Sequence, residues 1–213
     1  MTEYIKIETV FKRDMEGSKK LIEGAFLNDT VWFLQNNIWE WTEKIDGTNI
    51  GVVWDGHSVS FQGRTERAQI PASLLNRLAE LFGGGVNEEI FEQKFGNKKV
   101  ILFGEGYGNK IQKVGSLYNP DGVDFILFDV YFPDKDLWLK RDAVESIAQA
   151  FGVEAVRVIF CGSIDDAVRF VKSKPMSTIG NAPMEGLVGR PYVEVRDREG
   201  NRVIVKVKAV DFT

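Results

Sequence analysis

Apolar and polar residues alternate from Tyr4 to Phe11, the period-two pattern of a strand with one buried face. Ser18 to Leu27 reads as a short helix. Ile38 to Glu43 and Asn49 to Trp54 read as strands separated by the turn signal Asp46-Gly47. Asp55-Gly56 then predicts a two-residue hairpin turn into a strand over Ser58 to Gln62. Pro71 to Phe82 has helical periodicity and stops at Gly83-Gly84-Gly85, and Glu88 to Phe95 reads as a second helix. Lys99 to Gly104 and Val123 to Phe132 are apolar, aromatic and β-branched, which predicts buried strands. A helix over Leu139 to Phe151, a strand over Ala155 to Phe160 and a helix over Ile164 to Val171 follow, the last with Ser163 as N-cap. Gly186 to Arg190 and Arg202 to Val207 are the final strands. The two longest irregular stretches, Gly63 to Pro71 and Ser173 to Pro183, are candidate substrate-facing loops. The sum is an α+β chain whose short connections imply mostly antiparallel strands.

Composition narrows the chemistry. The chain has 213 residues, 44% hydrophobic and 27% charged, enough to bury a core without disulfides or structural metal. It has one cysteine, Cys161, and one histidine, His57, so neither an internal disulfide nor a Cys/His zinc site can be built. His57 falls in an alternating, exposed hairpin segment, a poor place for a catalytic base. Cys161 ends the apolar run Val156 to Phe160 and reads as a buried small hydrophobe. Charges at Glu3 and Lys6 rule out a signal-peptide core, and no stretch reaches the roughly 18 apolar residues of a membrane span. Residence in the cytosol is the default expectation. The net charge is -4, so contact with a polynucleotide would use a local groove rather than a broadly basic surface.

The chemistry centres on Lys44-Ile45-Asp46-Gly47-Thr48-Asn49. Partial burial at the end of an apolar, aromatic strand, or neighbouring cations, would favour the neutral, nucleophilic amine of Lys44. Asp46-Gly47 turns the chain and lets backbone approach a ligand. By itself this is a strand followed by a turn. Four further segments change its weight: Gly63-Arg64, then Gly104-Glu105-Gly106 within Leu102 to Gly108, then Phe128-Asp129 within Phe125 to Tyr131, then Glu185 to Arg190. Val205-Lys206-Val207-Lys208 closes the series, its alternation placing both lysines on one strand face. Asn109-Lys110 after the glycines lacks the spacing and the following Ser/Thr of a phosphate-binding P-loop.

In that order the segments resemble the signature motifs of the covalent nucleotidyltransferases, the polynucleotide ligases and mRNA capping enzymes, and within them the phage-type ATP-dependent RNA ligases. The resemblance runs from about residue 39 to residue 208. Asn49 stands where DNA ligases and capping enzymes usually carry arginine, in the Gly-Thr-Asn form typical of RNA ligases. It implies a single nucleotidyltransferase domain over 1–213, with mostly antiparallel sheets flanked by helices and an ATP pocket between sheets. DNA ligases and capping enzymes continue into an OB-fold, whereas five residues follow Lys208, so none is expected.

The resemblance also implies roles. Lys44 attacks the α-phosphate of ATP to give lysine-AMP, the AMP passes to an RNA 5′-phosphate, and the 3′-hydroxyl of another end displaces it. Lys206 and Lys208 contact the α-phosphate. Glu105 and Glu185 hold ribose hydroxyls or, through water, Mg²⁺ or Mn²⁺, with Asp129 helping to organise the metal. Arg64 contacts ribose or the RNA 5′-phosphate, Phe128 stacks on adenine, and Glu43 accepts the adenine amino hydrogen. Asp46, Gly47 and Asn49 complete the nucleotide set. RNA ligases normally carry an appended domain after this core, which leaves the grip on RNA to an accessory protein or an oligomer. The phage-like motif forms suggest RNA repair in a phage-infected or bacterial cytosol, by analogy. The competing readings are a minimal DNA or mixed-nick ligase, a nucleotide- or RNA-end-binding module that does not ligate, and a capping guanylyltransferase.

Overall fold

The computed structural model describes residues 2–65 and 67–212. Along the chain it contains β1 (Glu8–Thr9), β2 (Phe11–Arg13), β3 (Leu21–Phe26), α1 (Asp29–Phe33), β4 (Trp39–Lys44), β5 (Thr48–Trp54) and β6 (Val59–Gly63). Then come α2 (Ala72–Phe82), α3 (Gly85–Phe95), β7 (Val100–Gly108), α4 (Gly115–Tyr118), β8 (Val123–Phe132), β9 (Leu137–Trp138) and α5 (Arg141–Ala150). The chain ends with β10 (Glu154–Ala155), β11 (Val158–Gly162), α6 (Ile164–Lys172), β12 (Gly186–Pro191) and β13 (Val205–Lys208). These elements form two compact units, one from residues 2–4 and Asp46–Val156, the other from Ile5–Ile45 and residues 157–212.

The first unit is a six-stranded sheet in the order β10-β8-β7-β5-β6, with β9 paired to β8. All its pairings are antiparallel except β10 on β8. The central β7 is buried along almost its whole length, which explains its unbroken apolar run. One face packs against α2, α3 and α5 through Leu74, Leu78, Phe82, Phe91, Val144 and Phe151. Glycine lets these layers close: a Cβ on Gly106 would lie 2.4 Å from Leu74.

The second unit is a five-stranded sheet in the order β1-β13-β12-β4-β11, with the β2–β3 hairpin beside it in sequence. Strand β12 is antiparallel to both β4 and β13, β11 is antiparallel to β4, and only the pairing of β1 on β13 is parallel. One face of β4 carries Trp39 and Trp41, both fully buried with rings 5.8 Å apart. Burying an indole requires a partner for its N–H. Trp39 Nε1 donates to Leu34 O and Trp41 Nε1 to Gly162 O. Helix α6 supplies Ile164, Ala167, Val168 and Val171 to the same core. Its start is fixed by a capping box between Ser163 and Asp166.

Several expectations change. The segment expected to be helical over 18–27 is β3, paired with β2. The Asp14 carboxylate accepts from Gly17 N and Ser18 N, Lys19 N donates to Asp14 O, and Gly24 takes φ +86°, so turn chemistry defeats the helix. The expected strand over 155–160 divides into β10 and β11, which pair with different sheets: Val156 N donates to Leu127 O and Arg157 O accepts from Glu43 N. Cys161 is exposed rather than buried. It lies on β11 at the sheet edge, opposite Glu40 and on the face away from Trp41. The hairpin after Trp54 uses four residues instead of two, because the Asp55 carboxylate accepts from both His57 N and Ser58 N. Helix α3 begins at Gly85, with Asn87 Nδ2 donating to Gly83 O at the end of the preceding helix. The loop over 63–71 follows β6 as expected, though Glu66 lies outside the described residues.

Trp41 gives a direct test of this packing. A Cβ on Gly189 would meet its ring at 2.2 Å. Gly189→Ala is expected to cost about 1–3 kcal/mol by overpacking. Denaturant titration should show a lower midpoint with an unchanged slope.

Candidate active site

The register of three strands assembles the lysines. Lys44 on β4 lies opposite Gly186 on β12, which lies opposite Lys208 on β13. One row back, Thr42 lies opposite Val188 and Val188 opposite Lys206. Paired residues project to the same face of a pleated sheet, so the three amines share one face. The opposite face carries Trp41, Leu187, Val205 and Val207, all buried. The alternation that puts Val205 and Val207 in the core therefore forces Lys206 and Lys208 out of it.

Glu185, the residue before β12, joins the row from its end. Its Oε2 lies 2.7 Å from Lys44 Nζ and its Oε1 lies 3.0 Å from Lys208 Nζ. All three side chains are largely shielded, at 15% exposure for Glu185, 25% for Lys44 and 29% for Lys208. One carboxylate thus holds two ammonium groups, each on its own oxygen. Desolvation, then the like charges of Lys44 and Lys208, push the Lys206 amine below its ordinary value, with Glu8 and Glu185 opposing. The face carries more cationic than anionic groups and suits a phosphate.

Glu43 parts from this group. Strand alternation sends its side chain to the face of Leu187 and Val207, opposite Lys44. There it is 2% exposed, and its Oε2 accepts from Thr178 N at 3.0 Å and Thr178 Oγ1 at 2.5 Å. Its Oε1 is buried without a hydrogen-bond partner among the described residues.

The first unit carries the other expected residues. Asp46 N donates to the Tyr118 hydroxyl, and Gly47 O accepts from Gln112 Nε2. Asn49 on β5 lies opposite Glu105 on β7, so the register brings these two together on one face. On β8 the pairing skips Phe128: Phe103 faces Asp129 and Gly104 faces Leu127. Such a bulge re-aims a side chain, and Phe128 is only half-buried between neighbours that are fully buried. Asp129 is fully buried and accepts from the Tyr4 hydroxyl at 2.7 Å. The Tyr4 ring also meets Phe128 edge-on, with centroids 5.0 Å apart. Arg64 is exposed just beyond β6.

Sequence reasoning missed Tyr4 and Thr178. Tyr4 belongs to an alternating segment that gives no hint of a remote carboxylate. Thr178 sits in the Ser/Pro/Gly-rich loop that reads as substrate-facing, where a hydroxyl bonded to a strand residue leaves no trace in spacing. Among the described residues no group of three or more His, Cys, Asp or Glu side chains gathers to hold a cation.

The sequence profile of the RNA ligase family matches residues 37–208. The chain belongs to the RNA ligase family. Comparison with curated protein sequences finds no significant match. Among solved structures, an arginine-to-alanine variant of Naegleria gruberi RNA ligase with ATP and Mn superposes with TM-score 0.67 at 21% identity, covering 98% of this chain and 56% of that one. A lysine-to-methionine variant of the same ligase with AMP and Mn gives TM-score 0.64 at 20% identity, covering 95% and 60%. The ligase with PPi gives 0.63 at 21%, covering 96% and 61%. The RNA ligase family fold therefore extends over nearly all of this chain, which spans a little over half the length of those ligases. No helix among the described residues is long and apolar enough to cross a membrane.

The Lys206 environment makes a pH prediction. An amine whose folded value lies below its unfolded value binds fewer protons when folded, so stability rises with pH between the two values. Lys206→Met, which removes the buried charge, is expected to be more stable than the parent at pH 7. That advantage should shrink as pH approaches 10.5, the ordinary lysine value. Denaturant midpoints at pH 7 and pH 10 check both signs.

Proposed function

We propose that the protein is an ATP-dependent RNA ligase that joins 3′-hydroxyl and 5′-phosphate ends through a lysine-AMP intermediate on Lys44, and that residues 1–213 act as one nucleotidyltransferase domain. The observation that carries the reading is the row Lys44–Gly186–Lys208 with Glu185 bridging its two amines. A surface lysine needs no such setting. A lysine that must meet a triphosphate needs nearby cations to offset the charge developing on phosphorus, and a carboxylate to hold its amine in place until the nucleotide arrives.

In the first step the Lys44 amine, having lost a proton, attacks the α-phosphorus of ATP. A P–N bond forms, the bond from that phosphorus to the bridging oxygen breaks, and pyrophosphate leaves with the electron pair. An RNA 5′-phosphate oxygen then attacks the same phosphorus and frees the lysine. The 3′-hydroxyl of a second end attacks the activated 5′-phosphate, and AMP leaves as the phosphodiester forms. Lys206 and Lys208 stabilise the phosphoryl charge in the first two steps. In the same reading Asn49, Arg64, Glu105 and Phe128 contact the nucleotide or the RNA end. Asp129, pinned by Tyr4, anchors the strand that presents Phe128. The ATP and Mn in the Naegleria ligase structures support a nucleotide accompanied by a divalent ion here, Mg²⁺ or Mn²⁺. No step is assigned to that ion, since the described residues build no three-ligand cage.

Incubation with ATP labelled on the α-phosphate and Mg²⁺ is expected to leave label on the protein. Lys44→Ala should remove all of it, and label persisting in that variant overturns the nucleophile. ATP binding without covalent label would mark a binding module instead, and GTP outcompeting ATP would mark a capping enzyme. Offered nicked RNA, single-stranded RNA ends and nicked DNA, the protein is expected to join RNA ends. Preference for all-DNA nicks overturns the choice of substrate.

A further inference from the structure

We propose that Thr178 is a positioning residue that sets the Lys44–Glu185 pair from behind the sheet, through a latch on the buried carboxylate of Glu43. The inference rests on the reading of Lys44 as the nucleophile for its kinetic part, but not for its structural part.

Glu43 occupies a row whose other members are Leu187 and Val207, both in the apolar core. An apolar residue would satisfy that row without burying a charge. A carboxylate there costs stability unless its oxygens are bonded, and only one of the two is. Its presence there therefore points to a task other than filling the core. Thr178 meets it with two donors, its own N–H and its hydroxyl, on a single oxygen.

The connection between the two ends explains the task. Thr178 lies in a closed loop rather than a free one. Met176 bridges to Pro183, Ser177 N donates to Ala182 O, and Met184 N donates to Pro175 O. The residue after Met184 is Glu185. The latch thus grips, at one end, the residue before Lys44 and, at the other, the loop that leads into the carboxylate holding Lys44. These two elements are also joined on the opposite face by the 2.7 Å ion pair itself. Fixing both at a second point, behind the strands, restricts how far the amine and the carboxylate drift when a nucleotide separates them. In this geometry the Glu43 side chain leaves β4 on the face away from Lys44.

The test uses the full chain with Thr178→Val, which keeps the shape and removes the hydroxyl donor, and Thr178→Ser, which restores it. The rate of covalent labelling at saturating ATP is expected to fall by about 10- to 100-fold in Thr178→Val, the scale of a small misplacement of a reacting group. The ATP concentration that half-saturates labelling should not change. Thr178→Ser should recover the parental rate. An unchanged rate, a shift confined to half-saturation, a loss that Ser does not rescue, or an altered preference for ATP over ITP, which lacks the amino group, overturns the proposal. Hydrogen exchange in the nucleotide-free protein provides a readout independent of ligation. Thr178→Val should speed exchange in residues 39–45 and 184–190 while leaving 72–82 at the parental rate. Unchanged exchange in the two segments overturns the latch even if the parent protein takes no label. Missing label in the parent with faster exchange in the variant overturns the ligase reading alone.

Discussion

A single carboxylate makes the lysine face tolerable. Lys44, Lys206 and Lys208 project from adjacent rows of three paired strands, and the charges of Lys44 and Lys208 add to the desolvation that disfavours the charged form of Lys206. Glu185 offsets part of that repulsion by giving one oxygen to Lys44 and the other to Lys208. Lys206, partly desolvated and with neither oxygen, has a lowered affinity for its proton. The imbalance that remains is the attraction on offer to a phosphate.

The fold underneath is arranged to hold those rows in register. Trp39 and Trp41 anchor β4 on the core side, their N–H groups satisfied by Leu34 and Gly162. Gly189 lies under the Trp41 ring, and α6 closes the core behind. A one-residue slip of β13 would bury Lys206 and Lys208 and expose Val205 and Val207. The apolar residues thus enforce the position of the charged ones. In the other unit a similar economy fixes Phe128: a bulge turns it out of the ladder while Tyr4 holds its neighbour Asp129.

Much of this was legible in the chain. Strand-like stretches bounded by turn signals located β4, β5 and β12, and an unbroken apolar, aromatic run located β8, each to within a residue or two, while the Val-Lys-Val-Lys alternation placed two lysines on one face. The ordered motifs pointed to Lys44, Glu185, Lys206 and Lys208, four residues that the structure brings together. Failures occurred where local and distant interactions compete. Residues 18–27 look helical alone but become β3 because an Asp14 turn and long-range pairing with β2 prevail. Cys161 looks buried in an apolar run, yet edge position decides exposure, and no window of sequence reveals which strand lies at an edge. Glu43 is adjacent to Lys44 in sequence, yet adjacency in a strand puts the two side chains on opposite faces. Thr178 and Tyr4 act on residues 135 and 125 positions away, distances at which spacing carries no signal.

The interleaving of the two units affects how the protein comes into being. Residues 46–156 complete nearly all of one sheet as a continuous stretch, while β4 pairs with partners that emerge from the ribosome only after position 157. During synthesis Lys44 therefore precedes its surroundings by more than a hundred residues. A chain halted before residue 185 holds Lys44 on a strand that lacks the carboxylate and both companion lysines. The cluster of Lys44, Glu185 and Lys208 is thereby complete only once β13 has paired with β12.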